Sequence, residues 1–512
     1  MRLAPGARAA SVACAVLLAA CSSGGGNAGA TGASGNASSA GPAAVNVPEG
    51  DWTRFDFNAA RSGVGPAQTG ITARNLSSLR QRRVHLDGTV DSSPIELHAI
   101  RVHGRPHDLI IVTTTYGRTI ALDAGTGQKL WEFVPPDIRS YEGTAQITTT
   151  TPVADPGRRY VFAASPDGLI RKLAVATGRE IHSRYWPVHV TRDAAHEKLA
   201  AALNLSGREV IATTGGYVGD APPYQGHVVT IERTSGRILH VWNSLCSGQH
   251  RLLVPSRCSV SDSAIWARSG AVVEPASGRL LVATGNANGS RPFDGVSSWS
   301  NSVLELSPDA ARLLHNWTPS NQAALSASDG DIGSTAPALL PPVGGARLAV
   351  QGGKDSKLRL LDLARLDGTS AGAGPRLGGE LQELSTPGGG PLFTAPAVWQ
   401  NAARTFVFVA DASGTGAYML TGGSQPRLRL AFQNANPGTS PIVAGGLLYV
   451  YDPGGSVRVY EPTRLQPLAS LPAAVGHWNS PIVIGGRVIV PEGDANQHAL
   501  QGTLDIYHLP GR

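Results

Sequence analysis

"YGRTIALDAGTGQKLWEF", Tyr116 to Phe133, decides the fold. Its first half, "RTIALDA", reads apolar and polar with period two, as a half-buried strand does. Thr126-Gly127 then supplies the positive φ of a tight turn, and "KLWEF" is the returning strand. Similar stretches stand at 167–186 ("DGLIRKLAVATGREIHSRYW"), 225–243 ("QGHVVTIERTSGRILHVWN") and 454–471 ("GGSVRVYEPTRLQPLASL"). Thr-Gly or Ser-Gly pairs recur at 126–127, 177–178, 235–236 and 277–278.

A second pattern precedes most copies: a small hydroxyl residue, proline, then apolar residues. It occurs at Pro94, Pro152, Pro337, Pro396, Pro441 and Pro481, most cleanly in "TSPIVAGG" and "NSPIVIGG". Proline has no N–H for an interior ladder, so it suits the first position of a strand. Each unit is therefore a small four-stranded sheet with two faces to bury, and radial stacking buries both. Eight units are expected, near 84–134, 148–187, 208–244, 270–318, 333–366, 392–432, 438–472 and 479–510, so the fold class is all-β, an eight-bladed β-propeller. The segment 76–88, "LSSLRQRRVHLDG", is extra; it is expected to add a strand to the last blade and close the ring. One helix is expected, "TRDAAHEKLAAALNL" at 191–205, with Leu199 and Leu203 on one face.

Composition agrees. The 512 residues include 62 glycines and 36 prolines and only 16% charged residues, which favours short strands and many turns over long charged helices. The net charge of +6 is scattered along the chain, without a Lys/Arg block interleaved with aromatics, which argues against a nucleic-acid partner.

The N-terminus reads as an export signal. Arg2 and Arg8 precede "AASVACAVLLAA", a run too short to span a bilayer permanently. It ends in Leu18-Ala19-Ala20-Cys21, which resembles the bacterial lipobox, whose cysteine takes the lipid. A Gly/Ser/Ala stretch follows that cannot bury a core. The expected organisation is a lipoprotein signal peptide at 1–21, a tether at 22–50 and a propeller at 51–512. Localisation follows: exported, anchored to a membrane by lipid on Cys21, and in a Gram-negative host the outer membrane, because Ser22 is not the aspartate of inner-membrane retention. Of the four cysteines, Cys14 leaves with the leader, so Cys246 and Cys258 remain. They read as a disulfide closing "CSGQHRLLVPSRC", with two free thiols as the alternative. The absence of C-x-x-C-H speaks against covalent haem.

"ALDAGTGQKLWEF" resembles the repeat of pyrroloquinoline quinone (PQQ) propellers, in which the tryptophan docks on the next blade. The segment 51–95 resembles that family's entry segment, and the likeness extends over about residues 50–510. Quinoprotein alcohol dehydrogenases of this family hold PQQ and Ca²⁺ on the ring axis, with an aspartate as general base. The resemblance implies Trp266 beneath the quinone, Asn286 and Asp331 on the metal, Asp331 with Asp329 beside it as the catalytic carboxylate, and Lys354 on the quinone oxygens.

Each residue has a plainer reading: Trp266 as a blade-docking tryptophan, Asp329 and Asp331 as turn caps, Asn286 as a turn residue, Lys354 as a loop-tip cation. The departures from the family are as informative. "GGYVGDAPPYQGHVV" holds Asp220 where a metal-ligating glutamate is expected. The adjacent-cysteine pair is missing, and so is an arginine near "TTTTPVAD". Ca²⁺ takes six to eight oxygens, and this set is thin. His98, His103 and His107 straddle an expected hairpin and need not converge. Two functions follow: a non-catalytic envelope scaffold or binding module, as in the lipoprotein propeller of the outer-membrane assembly machine, with an envelope protein as partner; or a divergent PQQ- and Ca-dependent dehydrogenase acting on an alcohol or polyol.

Overall fold

The computed structural model describes residues 50–219, 221–289, 292–367, 376–402 and 404–511. The expected leader, the expected lipid acceptor Cys21, the expected tether up to residue 49 and Asp220 lie outside them. The described chain is an eight-bladed propeller of four-stranded antiparallel sheets. Blade 1 shows the pattern: Ile95–Val102, Arg105–Thr113, Thr119–Asp123 and Lys129–Phe133, innermost to outermost. Blades 2 to 7 span 153–189, 204–243, 272–317, 338–385, 397–434 and 442–472. Blade 8 takes Ile482–Ile484, Arg487–Pro491 and Gly502–His508 from the C-terminus and its outer strand, Arg80–Leu86, from the N-terminus, in register from Arg80 opposite His508 to Leu86 opposite Gly502.

The local signals act as physical chemistry requires. Strands begin directly after Pro94, Pro152, Pro337, Pro396, Pro441 and Pro481. Gly127 and Gly178 sit at φ +74° and +68°. Trp131 of blade 1 packs on Gly178 of blade 2, where a Cβ would lie 2.4 Å from the indole, and its Nε1 donates to Val175 O at 2.8 Å. Trp186 docks likewise on Gly236 of blade 3. The apolar residues form cores shared between neighbouring blades, so that no blade has a core of its own. Backbone N–H groups before the prolines bond to hydroxyls one blade on: Ser480 N to Ser93 Oγ, Ser93 N to Thr151 Oγ1, Ala395 N to Ser440 Oγ. The Ser-Pro repeats thus staple blade to blade.

Two expectations are corrected, the helix and the blade bounds. Residues 191–205 form turns and the start of blade 3, not a helix. Their helix-prone alanines are overridden by the ring: Leu199 O accepts from Thr148 Oγ1, Thr149 N and Thr150 Oγ1 of the neighbouring blade. The described α-helix is Gln322–Ala327 instead. Blade 3 starts at Asn204 and blade 5 ends at Ser385, beyond the expected units. His98 and His107 pair with Asp108 and Asp123 respectively, as two separate contacts on a hairpin.

The entry segment does more than lead in. Residues 52–65 run along the innermost strands inside the ring. Trp52 exchanges two backbone bonds with Glu96 of blade 1; Thr53 O, Ala59 O, Ser62 O and Gly63 O accept from Ala154, Val273, Val398 and Val443 of blades 2, 4, 6 and 7. The blade 3 contact is made by Arg54, whose Nη1 reaches Asn204 Oδ1 at 3.0 Å and Leu205 O at 3.1 Å. Arg61, 2% exposed, spends its guanidinium on Ser269 O, Phe55 O and Leu203 O at 2.7–3.0 Å. Burial lowers its pKa to about 9, and Asp56 beside it is pushed up by the same desolvation. This segment is a plug. Because losing the guanidinium leaves three buried carbonyls without their donor, at about 1–3 kcal/mol each, Arg61→Ala should cost at least about 3 kcal/mol, read as a drop in the urea midpoint.

The disulfide Cys246–Cys258 is formed, with a Cα–Cα distance of 5.9 Å. Its loop is held to blade 3 by Asn243, whose Nδ2 donates to Gln249 O and Arg251 O. That orientation turns Asn243 Oδ1 toward His227 Nδ1 at 2.6 Å, while His227 Nε2 meets Glu197 at 3.1 Å. Both ring nitrogens face acceptors, an arrangement that favours the imidazolium form of His227. Burial lowers its pKa, but Glu197 opposes and the net shift is upward. A histidine whose folded pKa is raised contributes stability fully below its unfolded value, about 6.5, and loses it as pH rises through the folded value. Stability of the wild type should therefore fall as pH rises above about 6.5, and His227→Gln should flatten that slope in melting curves taken across pH.

Candidate functional site

The loops that enter the innermost strands, and those joining second to third strands, gather at one end of the ring above the plug. The first cluster comes from blades 4 and 5. Trp266 precedes blade 4, Asp329 and Asp331 precede blade 5, and Lys354 lies between the second and third strands of blade 5. Lys354 Nζ is 2.6 Å from Asp329 Oδ1 and 2.8 Å from Asp331 Oδ2, and stands 5.2 Å from the centre of the Trp266 ring. Gly285 borders this contact: a Cβ there would lie 3.5 Å from both Asp331 Oδ1 and Trp266 Nε1, at ordinary van der Waals distance. Asn286 follows directly, and its carbonyl accepts from Ser263 N at 2.6 Å. Trp266, Asp329, Asp331 and Lys354 therefore converge; Asn286 enters beside them through its main chain.

Asp331 is 1% exposed. Desolvation raises its pKa to about 6, against the pull of Lys354. A buried carboxyl held at such a value is a mark of functional sites as well as of structural ion pairs.

The residues the sequence did not single out are as prominent. Phe393, before blade 6, and Trp478, before blade 8, stack at 4.7 Å and 11°. Both approach Trp266, at 6.2 and 5.8 Å. His477 stacks on Trp478 at 3.9 Å. Its Nδ1 lies 2.8 Å from Asp91 Oδ2 and 3.5 Å from Asp494. Arg268, before blade 4, crosses to pair with the Asp91 carboxylate and to donate to the carbonyls of Asp91 and Thr149. Desolvation pushes the Asp91 carboxyl up, but Arg268 and His477 together hold it well below the usual carboxylate range. "GHWNSPI" places Trp478 only as a residue ahead of a strand; its ring partners Trp266 and Phe393 come from other blades, and the Asp91 partner of neighbouring His477 is 386 residues away.

Comparisons with known proteins identify the architecture. A family model described as outer membrane protein assembly factor BamB matches residues 73–251. Among solved structures, a quinohemoprotein alcohol dehydrogenase from Comamonas testosteroni superposes with a TM-score of 0.65 at 13% identity, covering 90% of this chain and 81% of that one. The chain has the fold of the PQQ-type β-propellers. It is also similar to a europium-containing methanol dehydrogenase (TM-score 0.65, 15% identity, 90% of this chain and 98% of that one). BamB from Moraxella catarrhalis superposes with a TM-score of 0.50 at 13% identity, covering 85% and 98%. No curated protein matches the chain.

The residues present do not fit a metal and quinone. Asp331, the carboxylate expected on a metal, has an ammonium group 2.8 Å away, and burial pushes its pKa up to about 6. Lys354, expected on the quinone oxygens, is held by two carboxylates. Arg268 is tied to Asp91. A hard divalent cation wants several charged oxygens free of competing cations, and this cluster offers none.

A carboxyl whose folded pKa is raised binds its proton more tightly in the fold, so it favours the fold below its unfolded value, about 3.9. That contribution is lost as pH rises through about 6. Asp331→Asn should therefore raise the melting temperature at pH 7, by the equivalent of up to about 3 kcal/mol, and remove the fall in stability between roughly pH 4 and 6.

Proposed function

We propose that this chain is a cell-envelope lipoprotein, anchored through Cys21, whose propeller is a binding or scaffold module with a degenerate cofactor site. The observation that carries this reading is the state of the axis. Lys354 is locked between Asp329 and Asp331, and Phe393 and Trp478 pack on the ring expected to floor a quinone. The match of residues 73–251 to a model described as an outer membrane protein assembly factor supports a role of the same kind, with another envelope protein as partner.

One observation favours a second reading, a PQQ- and Ca-dependent dehydrogenase of an alcohol or polyol. Asp331 is buried beside Trp266 and Lys354 with a pKa of about 6, suited to taking a proton from a hydroxyl.

The two readings part in one assay. The chain from Asp51 onward is mixed with PQQ and Ca²⁺, and its melting temperature and dye-linked alcohol oxidation are followed. The scaffold reading expects no shift and no dye reduction. A ligand at 100 times its dissociation constant stabilises the fold by about 2.7 kcal/mol. A shift of that order, with turnover abolished by Asp331→Asn, would establish the enzyme.

A further inference from the structure

Beside the aromatic platform, Lys198 is a cation without a partner. It is 7% exposed, and its ammonium group makes no hydrogen bond or ion pair with a described residue. Its main chain is clamped in two backbone bonds to Gly215, at 2.7 and 2.9 Å, and Gly215 packs directly on Trp266. The side chain is therefore held at the site. The carboxylates that face it, Asp91 and Asp494, are engaged elsewhere. Asp91 is bound by Arg268, His477 and the N–H of Ala495. Asp494 accepts from Asn496 N and Gln497 Nε2. The other cation beside it, Arg268, is bound to Asp91 and Thr149. Burial lowers the pKa of Lys198 to about 8, despite the pull of Asp91.

An ammonium group taken out of water without an acceptor is costly. Its retention at this end of the ring points to an anion that arrives from outside. The surroundings say what carries that anion. His477, Trp478 and Phe393 form a half-buried aromatic platform. Loop tips at the same end expose Val218, Val475 and Leu500 by 69%, 67% and 52%. Val218 follows Tyr217, which packs with Tyr116 of blade 1 and Ala495 of blade 8.

We propose that this end of the propeller docks a partner polypeptide, in which an acidic side chain pairs with Lys198 and a neighbouring apolar side chain lies on Trp478 and Phe393. The proposal rests on the scaffold reading. A polypeptide places a carboxylate and an apolar group on adjacent side chains, which matches a buried cation rimmed by apolar tips. A small free acid leaves the tips uncovered.

The chain has five lysines, at 129, 172, 198, 354 and 357. Reductive methylation with ¹³C-formaldehyde gives each its own NMR signal, and Lys198→Arg assigns that of Lys198. The probes are a capped Leu-Glu-Phe peptide, its Leu-Gln-Phe twin, and acetate. The Glu peptide is expected to shift the Lys198 signal saturably and to raise its titration midpoint by at least about one pH unit. The Gln peptide should leave it in place. Trp478→Ala should weaken the Glu peptide about tenfold or more. A Lys198 signal that ignores the Glu peptide, or answers both peptides alike, overturns the proposal. So does a signal that answers acetate but not the peptide. If Trp478→Ala does not fold, the two peptides on wild-type protein still decide. Failure here with no PQQ–Ca²⁺ stabilisation sinks only this proposal, whereas such stabilisation would sink the scaffold reading beneath it.

Discussion

A ring of eight wedges holds only if it is closed, and closure here depends on one strand exchange. Arg80–Leu86 pairs along its whole length with Gly502–His508, so the two ends of the propeller share one sheet. Arg83 adds an ion pair to Asp505 across this seam, and Arg487 of blade 8 pairs with Glu96 and Asp108 of blade 1. Every inter-blade core presupposes this closure. An open ring exposes the apolar flanks of its two end blades, a cost that grows with area.

The plug supplies the second constraint. Residues 52–65 give the innermost strands hydrogen-bond partners that they lack toward the channel. Arg54 and Arg61 are tolerated in that dry place because their guanidinium groups meet carbonyls and an amide oxygen of blades 3 and 4. The loops that enter the innermost strands gather at one end of the ring. There the loops of blades 1, 3, 4, 5, 6 and 8 bring together Asp91, Lys198, Trp266, Asp331, Phe393 and Trp478.

That end explains how one fold serves unlike purposes. The blades are held by docked tryptophans, glycine turns and hydroxyl staples, none of which contributes to the axial cluster. Loop residues are free to change while the wall stays intact. Here the loop residues pair with one another. Asp329 and Asp331 meet Lys354, Asp91 meets Arg268 and His477, and the aromatic rings meet one another. Lys198 is the exception, and so it carries the inference about a partner.

Blade number, strand starts and ring closure were legible in the sequence because each is written locally. A proline without an N–H, a glycine at positive φ and a period of two act within a few residues. Trp266, Asp331 and Lys354 were legible through resemblance, and they do converge. The expected helix at 191–205 was misread because alanine propensity is a weak force beside hydrogen bonds from a neighbouring blade. Phe393, Trp478, Arg268 and Lys198 carried no local signal at all. Their significance lies in distance across the ring and in which charges find partners. Both are properties of the closed propeller, which only the tertiary structure decides.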